Sequence, residues 1–456
     1  MDWKKFLPVI LSCLFFFHAG EAQRKRSANK VSPTDTVKTA RKEMLERERT
    51  ELPEMKSLTS AFLPMNYDGS GTSWHPEETP LSMWMKHADR SQWSLNAAGY
   101  LRYTNQDISE KGNRGDEAFN SANWIMGMWR RALSSNNTVS VTSMFSLEPF
   151  TIGSEGSPLL FQTGETNNDK PLIDHQHPHD LFMALAAHYT HSFNQNIELT
   201  TSFGYPFEPA LGPPAYMHRL SSMMLPDAPI GHHWQDATHI SFGSGTLGLR
   251  VNRVKIEGSL FNGREPDENR YNFDPLRMDS HSFRFTWNPV HTLSIQISSG
   301  WVVSPDVLEP KQNIRRNTFS VLHTRILEDE TFVATTLVVG VNDYSSSPRS
   351  RSFLLESLLN LKPVMLTGRY EFVQKNADDL ALRPDAESVY DIHVLTLGIG
   401  KQLNRLGPVL FRTGVNGSLN LTDKRVENAY GQNPWSLTAF LLITPPFMMA
   451  TSNHMH

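Results

Sequence analysis

The residues of this chain best suited to chemistry are histidines in two long, turn-rich stretches. The first, TGETNNDKPLIDHQHPHDLF, sets His175, His177 and His179 at every other position between Asp174 and Asp180. In extended backbone alternate side chains leave on the same side, so three imidazoles spaced this way could meet on one cation, with Pro178 stiffening the segment. The second, GYPFEPALGPPAYMHRLSSMMLPDAPIGHHWQDATHISF, carries Met217, His218, Met223, Met224, His232, His233, Asp236 and His239. Imidazole suits zinc, copper, nickel and iron, whereas thioether sulfur favours Cu(I), so His with Met leans slightly towards copper. The candidate ligands, for copper or zinc, are His175, His177, His179, His218, His232 and His233, with Asp174, Asp180 and Asp236 as acceptors that would orient the rings. The same histidines could equally hydrogen-bond inside a loop plug without any ion, because the strict spacing of a zinc finger is missing.

The elements that must position these loops are legible as short runs of period two. Leu293, Ile295, Ile297, Trp301 and Val303 alternate with Ser294, Gln296, Ser298 and Gly300. Val333 to Val341, Phe283 to Trp287 and Val409 to Leu421 repeat the pattern. Such alternation marks strands whose two faces meet different media. It does not by itself separate a soluble sandwich, apolar face inward, from a membrane barrel, apolar face to lipid.

Connection lengths separate them. Tight links at 134–137, 193–196, 250–253, 288–292, 327–330, 360–363 and 404–407 alternate with long ones near 105–118, 148–180, 205–235, 264–278, 304–313, 377–386 and 422–433, and a shorter one at 343–349. All the tight turns then fall at one end of the strands, the asymmetry of outer-membrane barrels. The expected fold is all-β: a transmembrane antiparallel barrel of about sixteen strands, its long extracellular loops partly folded into the lumen. Trp93, Tyr103, Trp124, Trp129, Phe203, Trp287, Trp301, Tyr370 and Trp435 are candidates for aromatic girdles at headgroup depth. Arg102, Lys255, Glu257, Arg284, Arg369, Glu371 and Arg412 occupy the opposite faces and would line a hydrated interior.

Bulk properties agree with this reading. A mean hydropathy of -0.40 does not argue against a membrane, because barrel strands dilute their apolar residues with polar ones. Lys4 and Lys5, the apolar stretch Phe6 to Phe17 and small residues at Gly20 and Ala22 read as a secretory signal over 1–22. The one cysteine, Cys13, lies within it, which leaves the mature chain without disulfide or thiol chemistry. Residues 23–90 are expected to form a periplasmic tether, 91–447 the barrel and 448–456 a C-terminal tail. The formal net charge of -4, with basic and acidic residues interspersed, excludes a nucleic-acid surface.

Six segments, GSGTSWHPEETP, PLLFQTGET, PLIDHQHPHDLF, EPALGPPAYMHR, GHHWQDATHISFG and FNGREPDENRYNFD, carry a resemblance. Through them the chain resembles a family of largely uncharacterised Gram-negative outer-membrane β-barrel proteins that often accompany copper or heavy-metal resistance genes. The resemblance implies an outer-membrane location and a role in metal handling, and brings no catalytic residues with it. Taken together, the sequence points to a barrel in the bacterial outer membrane with a loop-constricted polar pore for a small solute, a transition-metal ion such as copper being the leading candidate. Its partners would be outer-membrane lipid, the solute or ion and the outer-membrane assembly machinery. Two alternatives stand beside it: a hydrolase acting on lipid or polysaccharide, and a plugged structural barrel. The sequence leans away from an enzyme, since no Ser/His/Asp or paired-carboxylate spacing stands out.

Overall fold

The computed structural model describes residues 55–328, 330–382 and 389–448; the expected signal segment, the tether as far as residue 54 and the tail from residue 449 lie outside the described residues. Strand β1 (Leu81–Ala88) precedes β2 (Ser91–Gln106), β3 (Glu117–Ala132) and β4 (Asn137–Phe145). A separate hairpin follows, β5 (Ser157–Asn167) and β6 (Lys170–Gln176), and then β7 (Phe182–Asn194), β8 (Ile197–Gly204), β9 (Ser244–Val251) and β10 (Val254–Phe261). The circuit continues through β11 (Ser280–Val290), β12 (Leu293–Val303), β13 (Asn313–Glu328), β14 (Thr331–Tyr344), β15 (Ser350–Asn360), β16 (Val364–Asn376), β17 (Val389–Leu406), β18 (Val409–Leu421) and β19 (Trp435–Thr444). A two-residue β20 (Phe447–Met448) pairs with β1.

Every neighbour is antiparallel, and β19 returns to β2 in register from Ser436 opposite Gln106 to Ile443 opposite Gly99. Of the eighteen strands in this sheet, β1 and β20 cross the seam at the tight-turn end and the other sixteen close the barrel. The seven expected tight links all join adjacent strands, and the eight longer connections lie at the other end. Closure leaves no unpaired edge, which is what allows a sheet to cross a hydrocarbon layer.

Side-chain direction decides the medium. In β12 the polar residues Ser294, Gln296 and Ser298 are buried inside, while Ile297 and Trp301 on the outer face are 54% and 38% exposed. An apolar face turned outward over a whole barrel meets lipid, so this is an outer-membrane barrel. Trp93 faces Trp129 across β2 and β3 near the tight turns, with ring centres 5.9 Å apart, and Tyr103, Phe119, Trp301 and Trp435 lie exposed towards the long loops. Trp124 departs from the expected girdle. It points inward and packs on His218 at 4.8 Å, because on β3 it shares the inward parity of Asn120, Met128 and Arg130.

The expected lumen charges are all buried inside and mostly paired. Arg284 meets Glu257 at 2.9 Å, Lys255 meets Glu257 at 3.4 Å, and Arg369 meets Glu356 at 3.0 Å. Between them the interior is filled from both ends. From the tight-turn end, residues 55–80 enter the barrel: Arg130 Nε donates to the Ser57 carbonyl (2.9 Å), Ser140 to the Leu58 carbonyl (2.7 Å), and Asn288 to the His75 carbonyl (2.8 Å). From the other end comes the β8–β9 connection, 205–243. Arg102 donates to the Pro226 carbonyl (2.8 Å), Asn416 to the Met224 carbonyl (2.9 Å), and the Gly212 N–H donates to Ser298 (2.9 Å). The two segments touch where the Ala215 N–H donates to Ser70 Oγ at 2.7 Å.

Irregular backbone at membrane depth survives only where protein groups satisfy it, and here the wall side chains do so. An apolar cluster of Trp124, Met144, Leu220, Phe242, Phe332 and Phe440 forms a core inside the barrel. The inward-folded loop thus fills the lumen further than a constriction would. Residues 55–88 also differ from the tether expected over 23–90, since Leu58, Met65, Tyr67 and Trp74 are buried and β1 joins the sheet. These apolar side chains gain more from the interior than a solvated tether could offer.

The plug leans on one glycine of the wall. A Cβ on Gly340 of β14 would come within 2.3 Å of the Trp234 carbonyl oxygen, so only glycine lets the loop approach there. Replacing Gly340 by leucine is expected to undock residues 231–236 and raise unitary conductance in planar bilayers above that of the parent chain. Identical traces would show that the plug does not depend on this approach.

Candidate metal centre

Three connections at the long-loop end build the site. The β4–β7 connection begins with α1 (Glu148–Thr151), which presents Glu148, and continues into the β5–β6 hairpin, which presents Glu165. The 205–243 segment supplies α2 (His232–Gln235) and the 3-10 turn Ala237–His239, and the β10–β11 connection supplies Glu265 and Arg270. Gly164, at φ 122°, leaves the space that the His233 ring occupies; a Cβ there would lie 2.2 Å from ring carbon Cε1.

The three histidines of HQHPH do not converge. Asp174 adopts a left-handed φ of 59° and the strand stops at Gln176, so period-two alternation is broken on both sides of His175. His175 is part exposed, bonds the Ile173 carbonyl and lies 3.4 Å from Asp116. His177 and His179 turn inside, where they join His232, His233 and His239 in a closed circuit of five rings. Successive ring centres are 6.1 Å apart for His177–His179, 5.3 Å for His179–His239, 5.1 Å for His239–His232, 5.3 Å for His232–His233 and 5.9 Å for His233–His177. His218 stays outside this circuit, its ring tilted against Trp124.

Each of the five rings is anchored through Nδ1. His179 Nδ1 meets Glu148 Oε2 at 2.8 Å, His232 meets Asp236 Oδ1 at 2.6 Å, and His233 meets Glu265 Oε1 at 3.3 Å. His239 Nδ1 contacts the Asp236 carbonyl at 2.9 Å, and His177 the Pro178 carbonyl at 3.2 Å. A carbonyl can only accept, so in His239 and His177 the proton sits on Nδ1 and the lone pair on Nε2. The Nε2 atoms of His179, His232, His233 and His239 are buried and have no hydrogen-bond partner among the described residues.

Burial favours the neutral form of three of these rings. Loss of hydration holds His177 and His239 well below the usual imidazole range, and lowers His232 although the neighbouring Asp236 carboxylate opposes it. Burial also pushes Glu165 up to about 8 against the pull of Arg270, to which it is hydrogen-bonded. Of the expected orienting carboxylates, Asp236 serves a ring. Asp174 instead accepts from the Phe161 N–H and Arg114, and Asp180 faces Arg270 at 3.5 Å. His239, Glu148, Glu165 and Glu265 were not among the expected site residues. His239 stood beside the expected ones in sequence, whereas the glutamates come from loops whose proximity has no sequence signature.

Neutral imidazole with Nδ1–H held by an acceptor and Nε2 left bare is the arrangement found on metal-ligating histidines. Two such rings sharing an ion at about 2.0–2.1 Å would have centres roughly 5 Å apart, near three of the five spacings seen. Among the described residues no three of these donors already meet at one point, so an ion would have to draw the rings inward.

Among solved structures, OmpF of Salmonella typhi, in its complex with daunomycin, covers 79% of this chain and is itself covered completely, with a TM-score of 0.51 at 9% identity. The fold is porin-like. An anion-selective porin from Comamonas acidovorans (TM-score 0.47, 10% identity, 78% of this chain and 99% of that one) and the outer-membrane protein OpdK from Pseudomonas aeruginosa (0.43, 10%, 78% and 99%) also align. No family model and no curated protein matches the chain. At such identities the likeness concerns the barrel alone.

Asp236 joins the site to the plug, since Arg219 Nη1 lies 2.8 Å from its second oxygen and Arg219 Nε 2.8 Å from Glu356 on the wall. Asp236→Asn removes one partner of a buried charge network, a change that costs on the order of 3 kcal/mol. The heat-induced mobility shift of the folded barrel on gels is therefore expected at a temperature several degrees lower than for the parent. An unchanged midpoint would mean that this network does not hold the plug.

Proposed function

We propose that this porin-like outer-membrane barrel handles a transition-metal ion, captured by the histidine ring at the long-loop end of its lumen. The observation that carries the reading is the set of four buried, unpartnered Nε2 atoms on rings whose Nδ1 atoms are already anchored. Leaving such a nitrogen bare inside a protein is costly, and a cation would repay that cost. Imidazole donors suit zinc or copper, and the resemblance to barrels accompanying copper resistance genes supports the same class. Passage through the lumen would require the 205–243 segment to move, because the two inserted segments occupy the path. The barrel would reach the membrane through the outer-membrane assembly machinery.

A plugged structural barrel is the second reading, favoured by the apolar core inside the wall. The hydrolase alternative draws on Asp236 and His232, which have the geometry of two members of a triad, but His232 Nε2 meets no hydroxyl among the described residues.

Titrating the folded, detergent-solubilised chain with Co(II) and Zn(II) tests the reading. We expect one ion retained per chain, His232→Ala and His239→Ala each weakening it by about 10–100-fold, and His175→Ala leaving it intact. Absence of binding, or equal loss in the His175 variant, would leave the plugged barrel as the better account.

A further inference from the structure

Below the histidine ring lies a cavity of about 140 Å³ whose lining is rich in sulfur. The whole chain has 18 methionines, and eight of them line this one space. Met65 comes from the segment entering at the tight-turn end, Met83 from β1, and Met217 and Met223 from the inserted loop. The wall supplies Met126 and Met144, directly opposite each other on β3 and β4, with Met128 and Met183 beside them. Methionine commonly fills gaps, but a gap filler removes a void, and here the side chains surround one. Three histidines accompany them, His218 being packed against Trp124. His75, 6% exposed, lines the cavity with an Nε2 that has no partner among the described residues, and His239 belongs both to this lining and to the ring above.

Thioether sulfur is a soft, uncharged ligand that prefers Cu(I) and its congener Ag(I) to zinc or to hard cations. Among the described lining residues the soft donors are all thioethers. We propose that this cavity is a second, separate site, selective for a soft monovalent cation of the Cu(I) and Ag(I) class, held by Met126, Met144, Met217 and Met223 with His75. Through His239 it adjoins the ring, so the two sites form successive stations along the barrel axis, nitrogen-rich towards the long loops and sulfur-rich towards the tight turns. The proposal shares the cation class of the reading above but rests on different donors, so either can fail alone.

The test uses the full folded chain in detergent with Ag(I), which needs no reductant. Retention after gel filtration, measured by elemental analysis, is expected at one Ag(I) per chain, and the combined Met126→Leu, Met144→Leu, Met217→Leu and Met223→Leu variant should bind at least tenfold more weakly. His232→Ala should weaken Co(II) binding by about 10–100-fold while Ag(I) retention stays at the parent level, which separates failure at the ring from failure here. Ag(I) binding unchanged in the methionine variant would overturn the proposal. Should that variant not fold, the X-ray absorption spectrum of Ag(I) on the parent chain decides: a sulfur shell supports the site, and nitrogen or oxygen neighbours alone refute it.

Discussion

Closure of the sheet between β2 and β19 is the constraint on which everything else in this molecule depends. Once the backbone ladder is complete, each strand must give one face to lipid and the other to the interior. Apolar residues take the outer face, so the inner face is left with Arg, Lys, Glu, Asn, Ser and Thr at alternate positions. Those inner groups then need partners. Some find them in one another, as Glu257 does with Arg284 and Lys255, and others in the carbonyls and N–H groups of the chain that enters the barrel.

The polar wall and the inserted segments therefore complete each other. Without the wall side chains, the irregular backbone of 55–80 and 205–243 would be buried unsatisfied. Without the segments, Arg130, Arg102 and Asn416 would face an empty lumen. Hydrogen bonds to the wall fix the backbone, and the apolar cluster around Trp124, Phe332 and Phe440 adds the non-directional burial that wall hydrogen bonds alone do not supply. The same inserted loop carries His232, His233 and His239 to the point where Glu148 and Glu265 arrive from two other connections. The site is consequently a product of the plug, and Arg219, bridging Asp236 and Glu356, ties its geometry to the barrel wall.

Two chemistries share one axis in this arrangement. The rings at the long-loop end are held by carboxylates and carbonyls that set their tautomers, while the methionines beneath are positioned by strand register and by the fold of the loop. The inserted segments, with their apolar cluster, account for an interior that is polar at its wall yet partly apolar at its centre.

The strand count, the direction of the barrel faces and the seven tight turns were legible in the sequence, because each depends on local periodicity and on turn residues a few positions apart. Parity also placed Arg102, Lys255, Glu257, Arg284, Arg369, Glu371 and Arg412 inside. Where local geometry departs from ideal extension the same reasoning fails, as at Asp174 and Gln176, which separate His175 from its two neighbours. Trp124 shows the related limit, since its parity was readable but its inward partner, His218, comes from a segment about ninety residues away. Only the tertiary structure could decide that residues 55–80 enter the barrel, that five histidines close into a ring and that methionines from three parts of the chain surround one cavity. Those outcomes rest on contacts between distant loops confined in a common lumen, and no spacing along the chain encodes such a meeting.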